Sequence, residues 1–261
     1  MTGSTTLLAL TLLWPVFPAS IIFNALIEQL RFAPLRAIVT IAWPLAGVLL
    51  LPDGGLAETL AALPVTVTAA AMQAAALFTA FFYAWRSLTV NDLSRWARLI
   101  GTSALALLWL PWSAGAGHAD LAAGAIALGS ACAVLHLVAL ALARRFGSDY
   151  LGQGRVGPAH PLLAAMVAVS VLAALCAPPF PGFFSMIFIL ARVPWWAQAG
   201  AAMVWWLWSW SGARVWQRAF YGAPVARTQG RDLGAGTCAV AGVLASIVTL
   251  AAYAWSTAWI R

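Results

Sequence analysis

His136 is the one titratable side chain inside the long apolar runs of this 261-residue sequence. Histidine exchanges protons near neutral pH, so a proton path is the chemistry it would support. The plainer alternative is a packed imidazole bonded to a neighbouring carbonyl or hydroxyl, the commoner fate of a buried polar group. Further along, Pro178, Pro179, Pro181 and Gly182 interrupt the apolar run 161–191, with Ser185 just behind them. Such residues must break a helix and expose backbone groups, and transporters build polar sites near the bilayer midplane from breaks of this kind. Arg95 and Arg98 flank Trp96 in a segment that reads as a short interfacial helix, with snorkelling guanidiniums as the plainer reading. Glycine-rich phosphate loops, nucleophile elbows and paired metal-ligand spacings are absent, and one membrane histidine is thin support for haem. Cys132, Cys176 and Cys238 have no paired spacing and read as small buried hydrophobes. We therefore expect no catalytic residue, no metal and no cofactor in this chain.

The elements that must position these residues follow from composition. Hydrophobic residues make up 63% and charged residues 8%, with mean hydropathy +0.90. A soluble fold needs roughly a quarter of its residues charged, so lipid must solvate this one. Apolar runs at roughly 5–27, 37–52, 59–85, 99–117, 119–143, 161–191, 194–213 and 233–259 predict an all-α polytopic membrane protein of about eight spans. The stretch 1–20 lacks a basic leader and reads as part of the first span rather than a cleaved signal. None of the runs holds Asp, Glu, Lys or Arg in its interior, which counts against ion transport by this chain alone.

Charge placement supports that frame. All 14 basic residues are Arg, and twelve of them fall in the loops 28–36, 86–98, 144–160 and 214–232. Eight crossings put those loops on one side, so the positive-inside rule assigns them to the cytoplasm or matrix and both termini to the outside. Only Arg192 and Arg261 fall opposite. Trp195 and Trp196 open the seventh run and Trp216 closes it, about 30 Å apart along a helix, like the aromatic belts of a bilayer. Trp205, Trp206, Trp208 and Trp210 between them read as packing residues. The arginine loops set topology and meet anionic lipid; they do not make a nucleic-acid surface.

The stretch from Ala177 to Leu190 resembles the signature of the antiporter-like subunits of respiratory complex I, NADH:ubiquinone oxidoreductase, and of their relatives in Mrp antiporters and membrane-bound hydrogenases. Pro178, Pro179, Gly182, Phe183, Phe184, Ser185, Ile189 and Leu190 match the broken helix of that family's second repeat. Leu93-Ser-Arg-Trp-Ala-Arg-Leu-Ile-Gly101, Gly152-Gln-Gly-Arg155, His160-Pro161 and Arg214-Val-Trp-Gln-Arg-Ala-Phe-Tyr-Gly-Ala-Pro224 resemble flanking segments in the same order. The resemblance covers roughly 88–260; residues 1–87 match no motif.

The resemblance implies an antiporter-like repeat over 88–232 with a broken helix at 161–191, a closing helix at 233–261, and a remnant of the first repeat in 1–87. A shortened, degenerate NADH dehydrogenase subunit 2 is the nearest type. Partners would be the other membrane-arm subunits of a large respiratory complex, in a mitochondrial inner or bacterial plasma membrane. One departure bears on activity. After Phe-Phe-Ser the family carries a lysine or glutamate taken to relay protons, whereas this chain has Met186. The family's paired His or Lys helix aligns with His136, but one turn on stands Leu140. The expected role is thus a structural membrane-arm subunit whose own relay is lost, keeping at most a partial hydrophilic path at the broken helix near Ser185, with His136 and Ser185 as its candidate residues. Active proton or cation transport through His136 and water at the broken helix, or an unrelated assembly protein, are the alternatives.

Overall fold

A chain this apolar can satisfy its backbone in lipid only by internal hydrogen bonding, and helix is what forms. The computed structural model describes residues 11–51, 68–151 and 160–221, with the isolated positions 234, 250 and 254. Within them lie α1 (Ala19–Gln29), α2 (Ala33–Leu49), α3 (Ala69–Ser87), α4 (Leu93–Ala106), α5 (Trp109–Ser113), α6 (His118–Phe146), α7 (Pro161–Ala174), α8 (Pro181–Arg192) and α9 (Trp195–Phe220). The described residues form no strand, only an isolated bridge between Asp92 and Tyr150. The expected run 233–259, with Cys238, lies outside the described residues except for positions 234, 250 and 254.

Local chemistry sets the ends. Thr68 caps α3 by accepting the Ala71 N–H at 3.2 Å. Gly147, at φ 78°, takes the left-handed position that ends α6, behind Arg144 and Arg145, whose charge suits a helix C-terminus. The expected fourth run is two helices and not one. Pro111 has no N–H to give the Leu107 carbonyl, so Leu110 donates to it instead at 3.1 Å. The N–H groups of Leu107 and Leu108 likewise reach back only three residues, and the chain turns between α4 and α5. At the other end of the sequence, α9 runs on to Phe220 and takes Arg214 and Arg218 out of the expected loop into helix.

α6 is the central element. It packs against α2, α4, α7 and α8, while α3 contacts both α4 and α9, so helices on either side of residue 87 share one core. The α2–α6 contact is close because position 129 is glycine. A Cβ there would stand 3.1 Å from the Thr40 carbonyl, which Pro44, lacking an N–H, cannot bond. Four fully buried tryptophans fill the core, and each indole N–H has a partner, as buried indoles require. Trp14 donates to the Pro44 carbonyl at 3.0 Å and Trp109 to the Trp14 carbonyl at 2.9 Å. Trp96 donates to Ser211 Oγ at 3.1 Å and Trp208 to Ser103 Oγ at 2.9 Å.

Among the described helices, α6 alone is both long and apolar enough to cross a membrane unaided, by length and composition. Its 29 residues rise about 43 Å. α2, α7 and α8 are shorter apolar helices, and α9 carries seven tryptophans and two arginines in its 26 residues. The arginine-rich segments gather at one end of the bundle. Leu93 N–H bonds the Asp149 carbonyl at 3.2 Å, Leu151 N–H bonds the Asn91 carbonyl at 2.8 Å, and Arg218 donates to Val90 at 3.1 Å and to Asn91 Oδ1. Arg192 lies elsewhere, 3.7 Å from Asp120 in the first turn of α6.

Candidate functional site

The helix break is built by a capping motif followed by prolines. The Ala177 N–H reaches the Leu172 carbonyl and the Cys176 N–H the Ala173 carbonyl, both at 3.1 Å. That pairing closes α7 as a Schellman motif, with Cys176 at φ 54° in the left-handed position glycine usually takes. Pro178 and Pro179 cannot extend the helix, and Pro181 opens α8 in its first turn, where a missing N–H costs nothing. Trp205 of α9 donates its indole N–H to the freed Leu175 carbonyl at 2.8 Å. Several polar backbone groups of the break are thereby satisfied by protein.

Gly182 allows the two half-helices to meet. A Cβ at this position would lie 2.7 Å from Cys176 Sγ, itself buried. Gly182→Ala is therefore expected to destabilise the protein by about 1–3 kcal/mol through overpacking. Gly101→Ala is the control, because its added carbon would meet Cys132 at an ordinary 3.5 Å. Thermal unfolding in detergent compares the two, and equal midpoints would contradict this account of the break. Beside it, Ser185 and Met186 are fully buried, and Ser185 Oγ has no hydrogen-bond partner among the described residues.

His136 lies elsewhere, ten residues and about 15 Å from the Phe146 end of α6. It is 2% exposed, with neither ring nitrogen hydrogen-bonded among the described residues. It lines a pocket of about 240 Å³ at the arginine-rich end, together with Arg36, Arg95, Arg98, Glu28, Asp92 and Asp149. None of Pro178, Pro179, Pro181, Gly182, Ser185 or Met186 lines that pocket.

Arg98 holds the pocket together and is the residue that sequence reasoning misplaced. The sequence offers either a short interfacial helix or, more plainly, a guanidinium snorkelling to the headgroups. Instead α4 is continuous from Leu93, Trp96 is fully buried, and the Arg98 side chain is only 9% exposed. Its Nη1 meets Glu28 Oε2 at 2.8 Å and the Asn24 carbonyl at 3.1 Å. One turn on, Thr102 Oγ1 accepts from Asn24 Nδ2 at 2.9 Å. Two polar pairs at four-residue spacing, Asn24 with Glu28 and Arg98 with Thr102, face each other, and that spacing was the available signal.

The hydrogen bond from Arg98, reinforced by its charge, holds the Glu28 carboxyl below its ordinary value against the opposing effect of burial. A depressed acid contributes stability at neutral pH that is lost as pH falls through the lowered value. Glu28 is 67% exposed, so solvent screening keeps the contribution below about 1 kcal/mol. Glu28→Gln is expected to flatten the acid limb of a stability–pH curve by no more than that. An unchanged acid limb would show that the pair contributes nothing.

No protein-family model matches the sequence, and no curated protein matches it. Solved structures do. One chain of respiratory complex I from Thermus thermophilus, with bound NADH, superposes at TM-score 0.78 and 19% identity over 98% of this chain and 58% of its own. The chain has the fold of antiporter-like membrane subunits. A chain of the membrane-bound sulfane sulfur reductase, an archaeal respiratory membrane complex, shares that fold at TM-score 0.77 and 15% identity, over 95% of this chain and 52% of its own. A chain of the Mrp complex from Dietzia sp. shares it at 0.69 and 16%, over 88% and 43%. The sequence thus spans about half the length of the antiporter-like chains it resembles.

Proposed function

We propose that this chain is a membrane-arm subunit of a complex I-type NADH:quinone oxidoreductase or a related ion-translocating complex, serving a structural role with its own proton relay lost. The observation that carries this reading is Met186, fully buried in the second turn of α8 where the resembling family carries a proton-bearing side chain. A thioether neither holds nor releases a proton. Neither α7 nor α8 supplies a carboxylate, lysine or histidine in its place. About eight spans seal the bilayer, with the arginine-rich end on the cytoplasmic or matrix side and both termini outside. Redox chemistry and its cofactors belong to other subunits, and lipids and neighbouring membrane-arm subunits cover the outer faces.

One observation favours a second reading, an active proton or cation transporter. His136 is buried, has no hydrogen-bond partner among the described residues and lines an open pocket. Gentle solubilisation followed by mass spectrometry of the copurifying chains tests the first reading, which expects iron–sulfur and quinone-site subunits. Reconstituted alone, the chain is expected to move no more protons than empty liposomes do. Robust flux that disappears in His136→Ala would replace the first reading with the second.

A further inference from the structure

The chain breaks a helix twice in the same way. Residues 11–13 end a helix that restarts as α1 at Ala19, just as α7 ends at Ala174 and α8 restarts at Pro181. The Val16 N–H closes the first stop by reaching the Thr11 carbonyl at 3.3 Å, five residues back. The Ala177 N–H closes the second by reaching the Leu172 carbonyl at 3.1 Å, again five residues back. The carbonyls of Val16 and Ala177 then accept from the returning chain, from the Ser20 N–H at 3.0 Å and the Phe180 N–H at 2.9 Å. Both segments carry Pro-x-Phe-Pro, at Pro15–Pro18 and, two positions later in this register, at Pro178–Pro181.

That register pairs Trp14 with Leu175, and the two share further features. Once the helix has stopped, neither carbonyl finds a partner within it, so each needs a donor from elsewhere. Trp14 receives the indole N–H of Trp109 at 2.9 Å, and Leu175 that of Trp205 at 2.8 Å. Both side chains press on a glycine of the helix that follows the restart. A Cβ at Gly47 of α2 would stand 2.6 Å from Trp14 Nε1, and one at Gly212 of α9 would collide with the Leu175 methyls. One difference follows from proline. Cys176 donates to the Ala173 carbonyl, whereas its counterpart Pro15 has no N–H, and the corresponding Leu12 carbonyl takes the Trp43 indole N–H at 2.9 Å instead.

Carbonyls freed by a helix break can turn to water or to a cation, which is how broken helices form polar sites at membrane depth. In both breaks an indole holds that position instead. An indole N–H is a donor only, so it satisfies the carbonyl and brings neither an exchangeable charge nor an acceptor with it. We propose that Trp109 and Trp205 are latches that hold the two breaks shut, each keeping water and cations from the carbonyl it bonds. The latches require only these hydrogen bonds and no particular complex around the chain.

Hydrogen exchange of the full chain in a detergent micelle, read by NMR, tests the latches. Trp205→Phe keeps most of the ring and removes the N–H. It should speed amide exchange at Cys176, Ala177 and Phe180 about tenfold, the effect of one buried carbonyl left unsatisfied, and leave Val16, Phe17 and Ser20 unchanged. Trp109→Phe should do the reverse. Trp206→Phe, which removes an exposed indole beside the latch, should change neither break. Should a variant fail to fold, the unmodified protein still decides. Its Trp109 and Trp205 indole protons are expected to exchange about tenfold or more slowly than that of Trp195, which is 79% exposed. The latches are overturned if either variant leaves its own break unchanged, if both breaks speed up together with the rest of the protein, or if the three indole protons exchange alike.

Discussion

Met186→Lys is expected to cost the protein its fold or its assembly and to restore no pumping. Met186 is fully buried, and no acid on α7 or α8 stands ready to pair with an ammonium. A lysine placed at membrane depth costs roughly 3 kcal/mol on insertion scales, and more when packing prevents it from snorkelling. Its four-carbon stem also exceeds the space a thioether fills, which adds strain. Met186→Leu, nearly equal in volume, should cost less than about 1.5 kcal/mol and serves as the control. The measurement is the yield of monodisperse protein and its thermal midpoint, followed by proton flux in proteoliposomes. An assembled Met186→Lys variant that pumps would sink the structural-subunit reading, since it would show that the rest of a relay had survived.

The second large effect is expected from Trp208→Ala. This indole is fully buried where α9 packs against α3, and its N–H meets Ser103 Oγ of α4 at 2.9 Å. Removing a buried tryptophan leaves a cavity and costs about 3–5 kcal/mol. Trp208→Phe separates the contributions. It keeps most of the volume and loses the hydrogen bond, while Ser103 still donates to the Ala80 carbonyl at 2.6 Å. That variant should therefore lose only about 1 kcal/mol. Equal losses in the two variants would mean that the bond, and not the packing, holds α9 in place.

Helical class, the broken helix and the gathering of arginines were legible because each follows from a one-dimensional pattern. Apolar run length gives helices, Pro178-Pro179-Phe-Pro181-Gly182 gives a stop and a restart, and loop charge sorts by end. The break between α4 and α5 was not read, because Pro111 sits inside an apolar run whose hydropathy does not change there. Arg98 was missed for a different reason. Its burial depends on Glu28 and Asn24, some seventy residues away: the four-residue spacing of each polar pair marks a polar face on its own helix, and only the packed bundle shows that the two faces meet. His136 is buried, as its place in an apolar run implies, but the run says nothing of its neighbours. Those neighbours come from the ends of α1, α2, α4 and α6, which only the packed bundle brings together.

The bond between Trp205 and the Leu175 carbonyl gives α9 a mechanical character. α9 is an unbroken helix that grips the interrupted segment at Trp205 and, about 20 Å further along, grips the α3–α4 turn through Arg218. It works as a splint: the interrupted segment between α7 and α8 is tied to a continuous helix anchored at the far end. The break and the arginine-rich end are therefore joined through one continuous helix. A partner that presses on the turn at Val90 and Asn91 would strain the break along this rod.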